Sequence, residues 1–218
     1  VNSNAPVQVN YLTSIVAISG GEYHSLVLKN DSTVWAWGQN TAGQLGNGTN
    51  TDTTIPIQIS SLMGVVAISG GGYHSLALKN NGTVWAWGAG GFGQLGTGNN
   101  SDSYVPLQIS SLTSIIAIAG GYFNSYALKS DGTVWAWGWN SSGQLGNGNN
   151  TDSNVPVQVS NLTGIIAIAG GQDHSLALKN DGTVWYWGRN FFGQLGNGNN
   201  TDSNVPVQAS SLSGITSI

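Results

Sequence analysis

Apolar and polar positions along this chain recur with a period of 50 residues, without insertion or deletion. In the fourth period, Val155-Pro156-Val157-Gln158-Val159 reads as a short strand whose proline suits a strand start or a sheet edge. Gly164 to Gly171 is a near-continuous apolar run closed by two glycines, which predicts a strand buried on both faces. His174 to Lys179 alternates, Asn180-Asp181-Gly182 predicts a tight type I′ turn, and Thr183 to Gly188 alternates again. That second alternation places Trp185 and Trp187 on one face and Val184 and Tyr186 on the other. A polar Gly/Asn loop, Gly193 to Asn204, leads into the next Val-Pro-Val-Gln.

The pattern gives four short antiparallel strands per period and no helical periodicity. Periods of this length mark solenoids, propellers or arrays. A β-solenoid is the competing all-β architecture, but its coils are not joined by tight hairpins. The expected fold is therefore an all-β propeller of four-stranded antiparallel blades. The repeats count as 1–50, 51–100, 101–150 and 151–200, with a partial repeat at 201–218 in one array. The segment Asn4 to Ile18 carries the same elements as Asn154 to Ile168, and Thr201 to Ile218 supplies them once more. One ring closed by this chain needs only one copy of that segment. Part of a larger ring, a half-ring completed by a second copy, and a unit pairing end to end all remain open. An open arc exposes a sheet edge and an apolar face at each end, so both ends are expected to be occupied, and self-association through the terminal strands is one such outcome.

Composition narrows the function. Only 6% of the 218 residues are charged, against about 25% in ordinary domains. Nine acidic and five basic residues leave a net charge of −4 with no basic run, so nucleic-acid binding is not expected. No apolar stretch reaches the ~20 residues that span a bilayer, so membrane insertion is not expected. The absence of cysteine removes disulfide scaffolds and thiolate metal sites. A surface of Asn, Ser, Thr and Gly points to an exported protein, extracellular or on the cell surface, and a leader removed before Val1 or excision from a longer chain would account for the start.

The run Gly-Gly-x-x-His-Ser-Leu-Ala-Leu, then Gly-Thr-Val-Trp-Ala-Trp-Gly, then Gly-Gln-Leu-Gly resembles the repeat of the regulator of chromosome condensation family across the whole chain. That resemblance implies propeller blades, usually seven to a ring, acting as protein-interaction platforms. Members include a nucleotide exchanger for the Ran GTPase that sits on chromatin and a secreted bacterial β-lactamase inhibitor that uses loop aromatics. The exchanger role fits poorly here, because there is no basic tail and little charge. An inhibitor-like or adhesin-like role in a bacterial exported protein fits better.

The repeats also separate scaffold from site. Positions shared by all four serve packing and turns: the Trp pairs 35/37, 85/87, 135/137 and 185/187, the Gly-Gln-Leu-Gly motifs, and Lys29, Lys79, Lys129 and Lys179. His24, His74 and His174, with Asn124 in the equivalent place, read as hydrogen-bonded turn residues rather than metal ligands. Asp52, Asp102, Asp152 and Asp202 read as Asx-turn residues, and no metal or cofactor is expected. Variation concentrates in two windows that open on one face of the ring. After the Gly-Gly stand Glu22, Tyr23, Tyr73, Tyr122, Phe123, Gln172 and Asp173; after the Trp-Gly stand Gln39, Phe92, Trp139, Arg189, Phe191 and Phe192. Every Phe of the chain, its only Arg and its only Glu lie there. Drift in so polar a chain yields Asn, Ser and Gly, whereas these are hot-spot residue types. The expected function is a non-catalytic module binding a protein partner on this face. An assembling structural subunit is the alternative. Catalysis is not expected, because Glu22, Asp173 and Arg189 are the only unrepeated charges and lie up to three blades apart.

Overall fold

The computed structural model describes residues 4–10, 12–210 and 212–218. Val1, Asn2, Ser3, Tyr11 and Ser211, which fall in the first repeat and the partial one, lie outside the described residues. The described residues form sixteen strands and no helix. The first sheet contains β1 (Ile15–Gly20), β2 (His24–Lys29), β3 (Val34–Gly38) and β4 (Thr53–Gln58). The second contains β5 (Val65–Gly70), β6 (His74–Lys79), β7 (Val84–Gly88) and β8 (Ser103–Gln108). The third contains β9 (Ile115–Gly120), β10 (Asn124–Lys129), β11 (Val134–Gly138) and β12 (Ser153–Gln158). The fourth contains β13 (Ile165–Gly170), β14 (His174–Lys179), β15 (Val184–Gly188) and β16 (Ser203–Gln208). Each sheet is an antiparallel meander in chain order, with β1, β5, β9 and β13 innermost. The Val-Pro-Val-Gln strand closes the sheet before it, with Trp35 opposite Gln58 and Trp185 opposite Gln208. Blades therefore run 15–58, 65–108, 115–158 and 165–208, out of phase with repeats counted from Val1.

The alternation of the Trp strands builds the core. Trp87 and the half-buried Trp85 face the first blade, packing with Leu26, Leu28, Val34, Ala36 and Leu45. Val84 and Ala86, on the other side of the same strand, pack with Leu76, Leu78 and Trp137 of the next blade. The same cluster recurs between the third and fourth blades around Trp187. Each blade thus stacks on its neighbour, and the fourth does not close on the first. The inner strand of the first blade leaves Ile18 78% exposed, whereas its counterparts Ile68, Ile118 and Ile168 pack into the clusters.

Two local expectations are corrected. The hairpin at Asn180-Asp181-Gly182 is not type I′, because only Gly182 among the three has positive φ (78°). Its N–H donates to the Lys179 carbonyl at 2.9 Å, the arrangement of a three-residue loop with glycine in the left-handed position. Ser32 takes that conformation in the first blade. The inner strands are also not buried on both faces. A register shift beside Val65 and Ile165 turns the next residue outward, so Val66 and Ile166 are more than half exposed.

Candidate functional site

β1 and β3 run in the same direction and end on one face, and so do their counterparts in each blade. Backbone hydrogen bonds then tie the two variable windows together. The N–H groups of Gln39, Ala89, Trp139 and Arg189 donate to the carbonyls of Tyr23, Tyr73, Phe123 and Asp173 at 2.8–3.0 Å. The glycine before each donor permits this approach: a Cβ on Gly38 (φ +110°) would lie 2.4 Å from the Tyr23 carbonyl oxygen.

Six side chains from three blades meet on this face. Tyr73 contacts Tyr23 (6.2 Å between ring centroids), Tyr122 (5.7 Å) and Phe123 (6.3 Å, stacked). Phe123 in turn meets Tyr122 (4.4 Å), Phe92 (4.8 Å) and Trp139 (6.0 Å), and Phe92 meets Trp139 at 6.0 Å. Residues of both windows are therefore neighbours in one aromatic surface. At its base the Asn124 side-chain amide donates to the Trp139 carbonyl. Tyr23 is 58% and Phe92 39% exposed, while Tyr73, Tyr122, Phe123 and Trp139 are half-buried. Gly72 is needed for this packing, because a Cβ there would lie 2.7 Å from the Tyr122 carbonyl oxygen.

Glu22 stands at the edge of the cluster, its N–H donating to the Gly72 carbonyl at 3.3 Å. Hydrogen bonding from the Tyr122 phenol is the main cause that holds its carboxyl below the usual range; partial desolvation opposes it, and Tyr23 and Tyr73 add to it. The carboxylate raises the Tyr122 and Tyr23 phenols in return. Behind these residues, the Gly-Gly turns of all four blades line a hollow of about 430 Å³, with Glu22, Tyr122 and Gln172 at its wall.

The remaining candidates lie elsewhere. Phe191 and Phe192 form their own exposed pair, 4.9 Å apart. Asp173 and Arg189 form an ion pair at 3.0 Å within the fourth blade, so two of the three unrepeated charges do converge, while Glu22 sits with the tyrosines. Gln39 is half-buried and accepts from the Gln44 side chain at 3.4 Å.

The repeated polar residues prove to be junctions between blades. The Ser75 hydroxyl donates to the Gln44 carbonyl at 2.8 Å, and the Trp87 indole donates to the same oxygen at 2.8 Å. Ser125 and Trp137 repeat this on Gln94, as do Ser175 and Trp187 on Gln144. His24 and His74 are buried, each with Nε2 at 2.9 Å from the serine of the following blade. They are thus inter-blade bonds rather than turn residues. Because the serine proton is already given to the carbonyl, Nε2 must be the protonated nitrogen. In the third blade Asn124 replaces His, and Tyr126 replaces Leu and shares a 2.7 Å hydrogen bond with Ser175. The Asp52, Asp102, Asp152 and Asp202 carboxylates accept from backbone amides twelve residues earlier at 2.7–2.9 Å, clamping long loops rather than local turns. Among the described residues, no three His, Asp or Glu side chains gather as a metal-ligand set.

Solved structures share this architecture. Human WBSCR16 is 28% identical, with a TM-score of 0.82, covering 90% of this chain and 53% of its own. Prp20p of Saccharomyces cerevisiae, described with its binding to Gsp1p and histones, is 24% identical with a TM-score of 0.85, covering 94% and 53%. Yeast RCC1 (Prp20) bound to Kap60 is 24% identical with a TM-score of 0.79, covering 94% and 50%. The chain therefore spans about half the length of each of these solved chains. The model of the RCC1-like domain matches residues 1–218, and the chain belongs to that family.

Proposed function

We propose that this chain is a non-catalytic protein-interaction module of an exported bacterial protein, and that its partner docks on the aromatic face. The observation that carries this reading is the contiguous set of six rings contributed by three blades and both loop windows. Aromatic side chains packed against one another and partly exposed give large contact area at little entropic cost, as in binding hot spots. The protein partners named for yeast Prp20 support a binding role for such a propeller. Export rests on the scarcity of charge and the Asn/Ser/Thr/Gly surface.

The test compares the wild-type chain with the double variant Phe92→Ala/Trp139→Ala as immobilised baits for proteins secreted by the source organism. A partner held by the wild type is expected to bind the variant roughly 30-fold more weakly or worse. Equal capture by both, with unchanged melting temperatures, would overturn the reading.

A second reading, end-to-end assembly, is favoured by the end faces. Every interior junction joins a Ser and a Trp to the preceding blade's Gln carbonyl. The first blade offers Ser25 and Trp37 beside an apolar groove of about 500 Å³, and the fourth offers Gln194 and His174 beside a mainly polar hollow of about 350 Å³. Light scattering of the wild type should then show mass growing with concentration, and Trp37→Ala should suppress it. A constant mass near 22.5 kDa rules assembly out.

A further inference from the structure

We propose that the aromatic face reads a cationic side chain, an arginine or lysine of the protein partner, seated against Glu22 and the rings of Tyr23, Tyr73 and Tyr122. This rests on the protein-interaction reading above and names the chemistry that the same face selects.

The first support is the distribution of charge. All four lysines lie at the opposite rim, at the ends of β2, β6, β10 and β14. There Lys29, Lys129 and Lys179 pair with Asp31, Asp131 and Asp181, and Lys79 sits 4.3 Å from the Trp85 ring centroid. On the loop face the one cation, Arg189, is already paired with Asp173. The Asp52-type carboxylates are occupied by backbone amides. Glu22 differs from all of these: it is exposed, and among the described residues it forms no ion pair with a lysine or arginine.

The second support is what surrounds that carboxylate. Three phenols aim at it, which orients it while leaving a carboxylate's remaining lone-pair positions for a donor from outside. The three rings lie beside one another around this carboxylate, and an ammonium or guanidinium is matched by a carboxylate bordered by aromatic rings. Anions are disfavoured at this place. The amides of Gly21, Glu22 and Gly72 are consumed by the His24, Gly72 and Tyr122 carbonyls, so no N–H nest is open, and Glu22 repels negative charge. The aromatic surface runs on through Phe123 to Trp139, far beyond what one small cation covers. A cationic side chain carried on a protein surface uses both parts.

The whole chain is titrated with blocked arginine amide, blocked lysine amide and blocked citrulline amide at neutral pH, following the tyrosine resonances of the cluster by NMR. Saturable shifts with the two cationic probes, little response to neutral citrulline, and at least ~10-fold weaker binding in Glu22→Gln are expected. Tyr122→Phe keeps the ring while removing the main phenol donor, and should retain folding with weakened binding. Equal binding of citrulline and arginine, or undiminished binding by a folded Glu22→Gln variant, overturns the proposal. The partner-capture assay separates the two levels. Capture lost in Phe92→Ala/Trp139→Ala but intact in Glu22→Gln sinks the cation while the interaction face stands. Capture intact in both sinks the face itself.

Discussion

Replacing Trp137 by alanine is expected to destabilise the arc by about 3–5 kcal/mol. The side chain is fully buried at the junction of the second and third blades, packed with Leu76, Leu78, Val84, Ala86 and Leu95. Its removal leaves a cavity that two flat sheets pinned by backbone ladders close poorly. It also removes one of the two donors to the Gln94 carbonyl, leaving only Ser125. A cavity and a weakened buried acceptor add in the same direction. The matching substitution Trp37→Ala serves as the internal comparison, because Trp37 is only half-buried on the open face of the first blade. It should cost less than half as much. Chemical denaturation of the two variants measures both values, and equal losses would mean that the interior junction carries no special weight.

Acid should weaken the arc well before its carboxylates titrate. Burial holds His24 down to about 4 and His74 down to about 3, the latter also through the charge of His24. The unfolded chain takes up those protons near pH ~6.5. Because the folded pKa values are depressed, the unfolded state binds more protons below that point. The stabilising contribution is therefore complete above pH ~6.5 and is lost as the pH falls toward the folded values. At about pH 5 each histidine has forfeited about 2 kcal/mol, or about 4 kcal/mol together. Asp31, Asp131, Asp181 and Glu22, whose pKa values are lowered, act only further into acid. The third blade supplies the control, since Tyr126 makes the junction there and Asn124 stands in place of the imidazole. His174, also lowered by burial, adds to the same loss, so transplanting that pair as His74→Asn/Leu76→Tyr should remove a substantial part, about 2 kcal/mol, of the loss between about pH 7.5 and about pH 5 in denaturation curves. A loss unchanged by the transplant would assign the acid sensitivity to other groups.

The repeat made much of this molecule legible from its sequence. Alternation in Thr183 to Gly188 correctly placed both tryptophans on one side, because a strand offers only two faces. The turn at Asn180-Asp181-Gly182 was legible as a hairpin but not as its type, since the same residues suit two loops differing in where positive φ falls. The exposed Val66 and Ile166 were not legible, because a bulge reverses the face of a residue without changing its hydrophobicity. The Trp pairs and the Gln of each Gly-Gln-Leu-Gly motif are legible as scaffold from their recurrence in all four repeats. Their actual bond was hidden, because it ends on a backbone carbonyl that every residue possesses.

The candidate face divides the same way. Contrast among four near-identical repeats was enough to pick out Tyr23, Tyr73, Phe92, Tyr122, Phe123 and Trp139. What brought Phe92 against Phe123, and separated Phe191 and Phe192 from both, was the distance between successive blades. The ion pair of Asp173 with Arg189 and the phenols around Glu22 likewise depend on that spacing. By itself, then, the sequence determined the period, the strands, the shared face of each Trp pair and the face on which variation collects, because these follow from local backbone geometry repeated identically. Only the tertiary structure decided which side chains meet across blades, since contacts between residues some fifty positions apart depend on how one sheet is rotated against the next.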